Sequence, residues 1–282
     1  MRRTGRRSST RRSSTGGAGA ARAIAIAALF VASGVRPVRA LDVFTLWRQP
    51  NVPLHMAEGE WADYRFQVTA GGRQEQSLTR VACLDRAAGT DDQAWVVEVL
   101  PLAEEPGGRL VPVPGEGLRL RLSRKLLSRT GSLLDHVLGA KQWTGGRATE
   151  LSAAQLRGDP LIADSFREDF LASTVTTGQP TTRVIGGVQY LCDQSVMAAA
   201  DTQVAALPAG NLRQVTTREL TAATNPDLPF LGLAYATERV RADSSLDRPG
   251  GRLRPPPARV RVEVMELVAH GKGARPVLGR TD

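Results

Sequence analysis

The chain has three histidines, His55, His136 and His270, and none stands in an H-E-x-x-H or H-x-H arrangement. Their spacing therefore prescribes neither a hydrolytic metal nor a histidine base. Ser132, Ser165 and Ser195 lack the G-x-S-x-G setting that presents a nucleophilic serine on a strained turn. Carboxylates gather twice, at Glu58, Glu60 and Asp63 around Trp61 and at Glu168-Asp169. Glycoside hydrolysis needs two carboxyl groups about 5–9 Å apart across a cleft. No spacing here demands that, so both groups are expected on solvated surface. Gly271-Lys272-Gly273 lacks the G-x-x-x-x-G-K-[ST] frame of a phosphate loop. Two cysteines and scattered histidines offer no metal-ligand spacing. The residues thus point away from an enzyme, with no cofactor and no metal.

The two cysteines, Cys83 and Cys192, suggest a different chemistry. An even pair far apart in a chain bound for an oxidising compartment is expected to form a disulfide. Closing a loop of that size would contribute roughly 4–5 kcal/mol in the chain-entropy account. That compartment is inferred from the N-terminus. Residues 1–40 carry nine arginines and no Asp or Glu. An apolar run of 13 residues, Ala23–Val35, follows the basic stretch, and V-R-A ends at Ala40. This is the layout of a secretory signal peptide, with cleavage expected between Ala40 and Leu41. The run is shorter than the roughly 20 residues needed to cross a bilayer as a helix. No later segment is apolar enough to span one. The chain has 37 basic and 28 acidic residues, so removing the nine arginines leaves 28 and 28. A formally neutral body gives nucleic acid no electrostatic footprint. The expected location is the periplasm.

Residues 41–282 are expected to form a single β-rich domain. Period-two alternation recurs along it. Trp61–Ala70 sets Tyr64, Phe66 and Val68 against Asp63, Arg65 and Gln67, and Gly71-Gly72 supplies a turn. Gln76–Arg86 returns with Thr79, Val81 and Cys83 on one face, and Ala94–Leu102 is a third strand. Leu118, Leu120 and Leu122 alternate with Arg119 and Arg121. The period then lengthens. Ser132–Leu138 suggests a short helix, and Ile162, Phe166 and Phe170 suggest another starting at Asp159-Pro160. Strands return at Thr181–Cys192, interrupted by Gly186-Gly187 as by a bulge or bend, at Asn211–Ala222, at Phe230–Val240 and at Ala258–Val268. The last two are expected to pair, joined by the surface loop of residues 248–257. Seven or eight strands need a cover for their dry face, and the central helices are the expected cover. Asn225–Leu233 (NPDLPFLGL) stands out: Leu228, Phe230, Leu231 and Leu233 either close the mouth of a cavity or pack a strand entrance onto the core.

Four stretches carry a resemblance. They are G-E-W-x-x-Y-x-F-x-V (Gly59–Val68), V-I-G-G-V-Q-Y-L-C (Val184–Cys192), L-P-x-G-N-L (Leu207–Leu212) and D-L-P-F-L-G-L (Asp227–Leu233). In this pattern the chain resembles the bacterial periplasmic lipoprotein-carrier proteins and their half-barrel relatives, over roughly residues 58–268. The resemblance implies a strongly curved antiparallel sheet, a half-barrel, covered by a few central helices. It also implies an acyl chain carried in an apolar cavity, and with it a part in outer-membrane biogenesis.

Two functions are expected from these readings. The first is a periplasmic binding or carrier protein for a hydrophobic ligand: an acyl chain, a lipid or a lipidated protein. Tyr64, Phe66, Leu118, Leu120, Phe166 and Phe170 would line its groove. The second is a non-enzymatic envelope structural or protein-interaction module, which would meet an envelope protein through exposed strand edges or the 248–257 loop.

Overall fold

The computed structural model describes residues 53–84, 94–128, 133–158, 174–207, 210–247, 255 and 257–279. The expected leader with its expected cleavage point at Ala40, Glu168-Asp169, and the expected helix bearing Phe166 and Phe170 lie outside them.

Among the described residues, thirteen antiparallel strands form one sheet. The first arm is β1 (Trp61–Ala70), β2 (Arg73–Cys83), β3 (Ala94–Glu104), β4 (Leu110–Pro112), β5 (Gly117–Ser123), β6 (Val137–Thr144) and β7 (Arg147–Leu151). The second is β8 (Thr174–Thr177), β9 (Thr181–Ile185), β10 (Val188–Leu207), β11 (Gly210–Thr224), β12 (Leu233–Leu246) and β13 (Arg259–Gly271). The order is β7-β6-β5-β3-β2-β1-β13-β12-β11-β10-β8, with β4 on β3 and β9 on β10. The first arm meanders outward from β1 and the second returns inward to β13. The first and last strands then pair at the centre, Trp61 facing Gly271 and Ala70 facing Arg261.

Alternation places the faces as expected along β1, β2 and β5, and pairing sets that of β3 between them. Ala62, Tyr64, Phe66, Val81, Cys83, Val97, Val99, Leu118, Leu120 and Leu122 join one buried cluster on one face. The cluster continues into the second arm through Met197, Leu220, Ala222, Ala236, Met265 and Leu267. β12 and β13 pair as expected.

Four expectations are overturned. The sheet is open: among the described residues its outermost strands, β7 and β8, have only inward neighbours. It is also not curled into a half-barrel, and the resemblance to the half-barrel lipoprotein carriers does not hold. Nor do helices cover it. Among the described residues, the helical pieces are two 3-10 segments, Arg124–Ser128 and Leu133–His136, and α1 (Ala153–Gly158). They place Leu126, Leu134 and Leu156 on the core. The remaining cover comes from Met56, from the turn holding Leu228, Phe230 and Leu231, and from Ile185 and Cys192 at the β9–β10 hairpin. The helix expected over Ser132–Leu138 is short because Val137 enters β6 opposite Leu122. A seven-residue apolar window fits either period, and strand pairing decides between them.

The disulfide is also absent: Cys83 and Cys192 are both buried thiols, not bonded to each other. They belong to β2 and β10, five strand spacings apart, or about 24 Å along the sheet. A disulfide needs Cα atoms within about 7 Å. Finally, Gly186-Gly187 is a hairpin turn rather than a bulge. Both residues have positive φ, 57° and 84°, and Val188 faces Ile185 across it. A two-residue hairpin turn of this kind needs residues that tolerate positive φ.

Candidate functional site

The expected ligand-facing residues fall into two groups. Tyr64, Phe66, Leu118 and Leu120 are all buried in the main cluster on one sheet face. Tyr64 and Phe66 also touch, with ring centroids 6.3 Å apart. Phe166 and Phe170 lie outside the described residues. Tyr64 is fully buried, and its hydroxyl has no hydrogen-bond partner among the described residues. Burial alone drives its acidity far below that of an ordinary tyrosine.

Both ends of the apolar face are polar. At one end, Glu60 sits opposite Cys83 and accepts the Cys83 N–H at its carbonyl, 2.8 Å. Arg124, just past β5, lays its guanidinium 4.1 Å over the Trp95 ring. Its Nη2 donates to Glu58 Oε1 at 2.8 Å. His55 Nε2 lies 3.5 Å from Glu60 Oε2. Three buried polar atoms here, Trp95 Nε1, Arg124 Nε and Glu60 Oε2, have no hydrogen-bond partner among the described residues. At the other end, register puts Met197, Leu220, Glu238, Glu263 and Val68 in one row across five strands. Burial raises the Glu238 carboxyl, Arg218 opposes that and the facing Glu263 adds to it. Arg261 bridges to Glu263.

The opposite face of the first arm is covered by the segment after β13. Glu98, fully buried, accepts from Arg119 Nε at 3.0 Å and Nη2 at 2.5 Å. It also accepts the backbone N–H of Val277 at 2.9 Å and of Leu278 at 3.3 Å. Arg119 donates in turn to the Leu278 carbonyl. Ala274 packs with Ala82 and Leu84, and Leu278 with Leu100 and Trp143. Arg80 clamps buried Asp63 on this face at 2.6 and 2.8 Å and stacks 4.4 Å over Trp61.

Of the carboxylates near Trp61, expected on solvated surface, Asp63 is instead buried. Asp63 goes to Arg80, Glu58 to Arg124, and Glu60 stands beside His55. Arg119 is committed to Glu98 and Arg261 to Glu263. His270 bonds the Tyr190 hydroxyl at 2.9 Å, and His136 is buried. Leu228, Phe230, Leu231 and Leu233 are all buried. Of the two readings of their segment, the structure gives the strand entrance packed on the core. Sequence reasoning missed the Trp95–Arg124 end because Arg124 follows β5 in a 3-10 segment, where no period marks the direction of a side chain. It missed Glu98 because a lone Glu inside AWVVEVLPL has no local partner.

Among the described residues, no group of three or more His, Cys, Asp or Glu is placed to hold a metal ion. No helix among them is long and apolar enough to cross a membrane.

No family model and no curated protein matches the chain. Two solved structures are distantly similar. A DUF1329 family protein from Desulfovibrio piger is 11% identical, with a TM-score of 0.30, covering 87% of this chain and 94% of its own. A protein from Bacteroides fragilis, described as exported and with a YmcC-like fold, is 9% identical, with a TM-score of 0.21, covering 78% of this chain and 99% of its own. Likenesses this weak carry no argument about function.

Proposed function

We propose that this chain is an exported, periplasmic binding protein that holds a hydrophobic ligand on the apolar face of its sheet. The ligand is an acyl chain, a lipid or a lipidated protein, and the protein performs no chemistry on it. One observation carries the reading: the hydroxyl of Tyr64, fully buried within the apolar cluster, has no partner among the described residues. A buried hydroxyl left unbonded costs about 1–3 kcal/mol. Phenylalanine would fill the same space without that cost, so a retained hydroxyl suits a role in contacting a ligand. Apolar walls with a few placed polar atoms are the usual lining of a small-molecule site.

Native and denaturing mass spectra of the protein purified gently from the periplasm test this. A non-covalent adduct of lipid mass, lost on denaturation and extractable into organic solvent, is the expected result. An apo mass that persists after incubation with envelope lipids would overturn the reading.

A second reading, a protein-interaction module of the envelope, is favoured by the β9–β10 hairpin. Val184 and Leu191 are 64% and 68% exposed. They lie on one face of the hairpin, Val184 opposite Gln189 and Leu191 opposite Thr182. Under this reading, Val184→Asp with Leu191→Asp abolishes capture of an envelope partner while leaving any lipid adduct in place.

A further inference from the structure

Resting on the ligand-binding reading above, we infer that the Trp95–Arg124 end of the apolar face is a headgroup site for a neutral N-acyl amide, such as the head of an N-acylated lipid or peptide. The amide carbonyl accepts from Trp95 Nε1–H and Arg124 Nε–H, and the amide N–H donates to Glu60 Oε2.

Three observations meet here. First, the unpartnered atoms have definite polarity. Trp95 Nε1 and Arg124 Nε only donate, and Glu60 Oε2 only accepts when ionised. Trp95 is 7% exposed, and a buried indole N–H ordinarily finds a partner. Together these atoms ask for a head with both an acceptor and a donor. Second, the local charge disfavours an anionic head. Arg124 is already bonded to Glu58 at 2.8 Å, and Glu60 brings a second carboxylate with the His55 imidazole 3.5 Å away. A fatty-acid carboxylate would add a third negative charge beside one guanidinium. An amide completes the same hydrogen bonds without it. Third, the face beyond this end is apolar and long. Trp95 lies two residues from Val97, Val97 faces Cys83, and Thr79, four residues before Cys83, faces Tyr64. From Trp95 to the Tyr64 row is thus about 20 Å along the strands. That stretch, lined by Val81, Val97, Val99 and Leu120, is closed in the free protein, so a long acyl tail lies there by displacing the side chains that cover it.

The test titrates the mature full-length protein with N-hexadecanoylethanolamine and, separately, with hexadecanoate at pH 8. Calorimetry gives the affinities, and the Trp95 indole N–H resonance reports the contact. The amide should bind at least about tenfold more tightly, one neutral hydrogen bond's worth of discrimination, and shift the indole resonance downfield. Trp95→Phe should lose about that factor for the amide. Glu60→Gln should narrow the gap between the two ligands. Unchanged apo thermal unfolding of each variant verifies the fold. Equal affinities, or an amide affinity insensitive to Trp95→Phe, would overturn the headgroup assignment and leave hydrophobic binding standing. Binding of neither amphiphile would overturn both.

Discussion

Tyr64 is the residue at which burial and polarity conflict most directly. Its hydroxyl is unpartnered among the described residues and its acidity is suppressed by desolvation. The consequence for stability has a definite sign. The folded pKa lies above the unfolded value near 10, so the folded state holds this proton more tightly. The stabilisation is complete below about pH 10 and declines as pH rises toward the folded pKa, by about 1.4 kcal/mol per pH unit. Urea denaturation at pH 9 to 11 should therefore show a steeper loss in the wild type than in Tyr64→Phe. At pH 7 the same substitution should leave the apo protein at least as stable, by up to about 1 kcal/mol, because an unbonded donor is removed. A less stable Tyr64→Phe at pH 7 would mean that the hydroxyl has a partner in the free protein.

Among the elements, the segment after β13 is the most dependent on one side chain. Val277 and Leu278 donate to a single buried carboxylate, that of Glu98, which Arg119 also holds. Removing one partner of a buried ion pair costs about 3–5 kcal/mol because the other is left uncompensated. Glu98→Ala should lower stability in that range and speed amide exchange at Val277 and Leu278 before that of β1. If protection of the two amides is unchanged, the apolar anchors Ala274 and Leu278 hold the segment without Glu98. The turn of residues 225–232 depends instead on backbone geometry. Gly232 has φ of +60°, and a Cβ there would lie 2.6 Å from Pro53 Cγ and 2.8 Å from the Asn225 carbonyl. Gly232→Ala should destabilise by about 1–3 kcal/mol, read as a lowered midpoint of thermal unfolding. An unshifted midpoint would show that the turn rearranges freely.

Across the whole molecule, the two arms are joined by the pairing of β1 with β13. Contacts between strands so far apart in sequence predict slow folding. They also predict that damage at the junction is felt in both arms. Leu267, 2% exposed on β13 and opposite Tyr64, is the place to test this. Leu267→Ala should cost about 2–5 kcal/mol. Tryptophan fluorescence, with Trp61, Trp95 and Trp143 all in the first arm, and amide exchange in β11 should then report the same loss. Divergent losses would show that the arms unfold separately. The two buried thiols give a further check: a thiol reagent should find no reactive cysteine in the native protein and two after unfolding.

What the sequence alone determined was local. Alternation assigned the inner face of β1, β2 and β5 because side-chain direction repeats every two residues whatever the strand pairs with. For the same reason Tyr64, Phe66, Leu118 and Leu120 could be grouped before any strand order was known. The tertiary structure decided everything that depends on neighbours. It set β13 beside β1, split Thr181–Cys192 into a hairpin, and drew residues 137–151 into the sheet, where the sequence shows no clean period. It kept Cys83 and Cys192 five strands apart, although compartment logic had joined them. It also supplied Glu98 with Arg119 and a backbone strap, and brought Arg124 over Trp95. A partner distant in the chain leaves no mark in the residues around it, so pairing and charge compensation became legible only in the folded sheet.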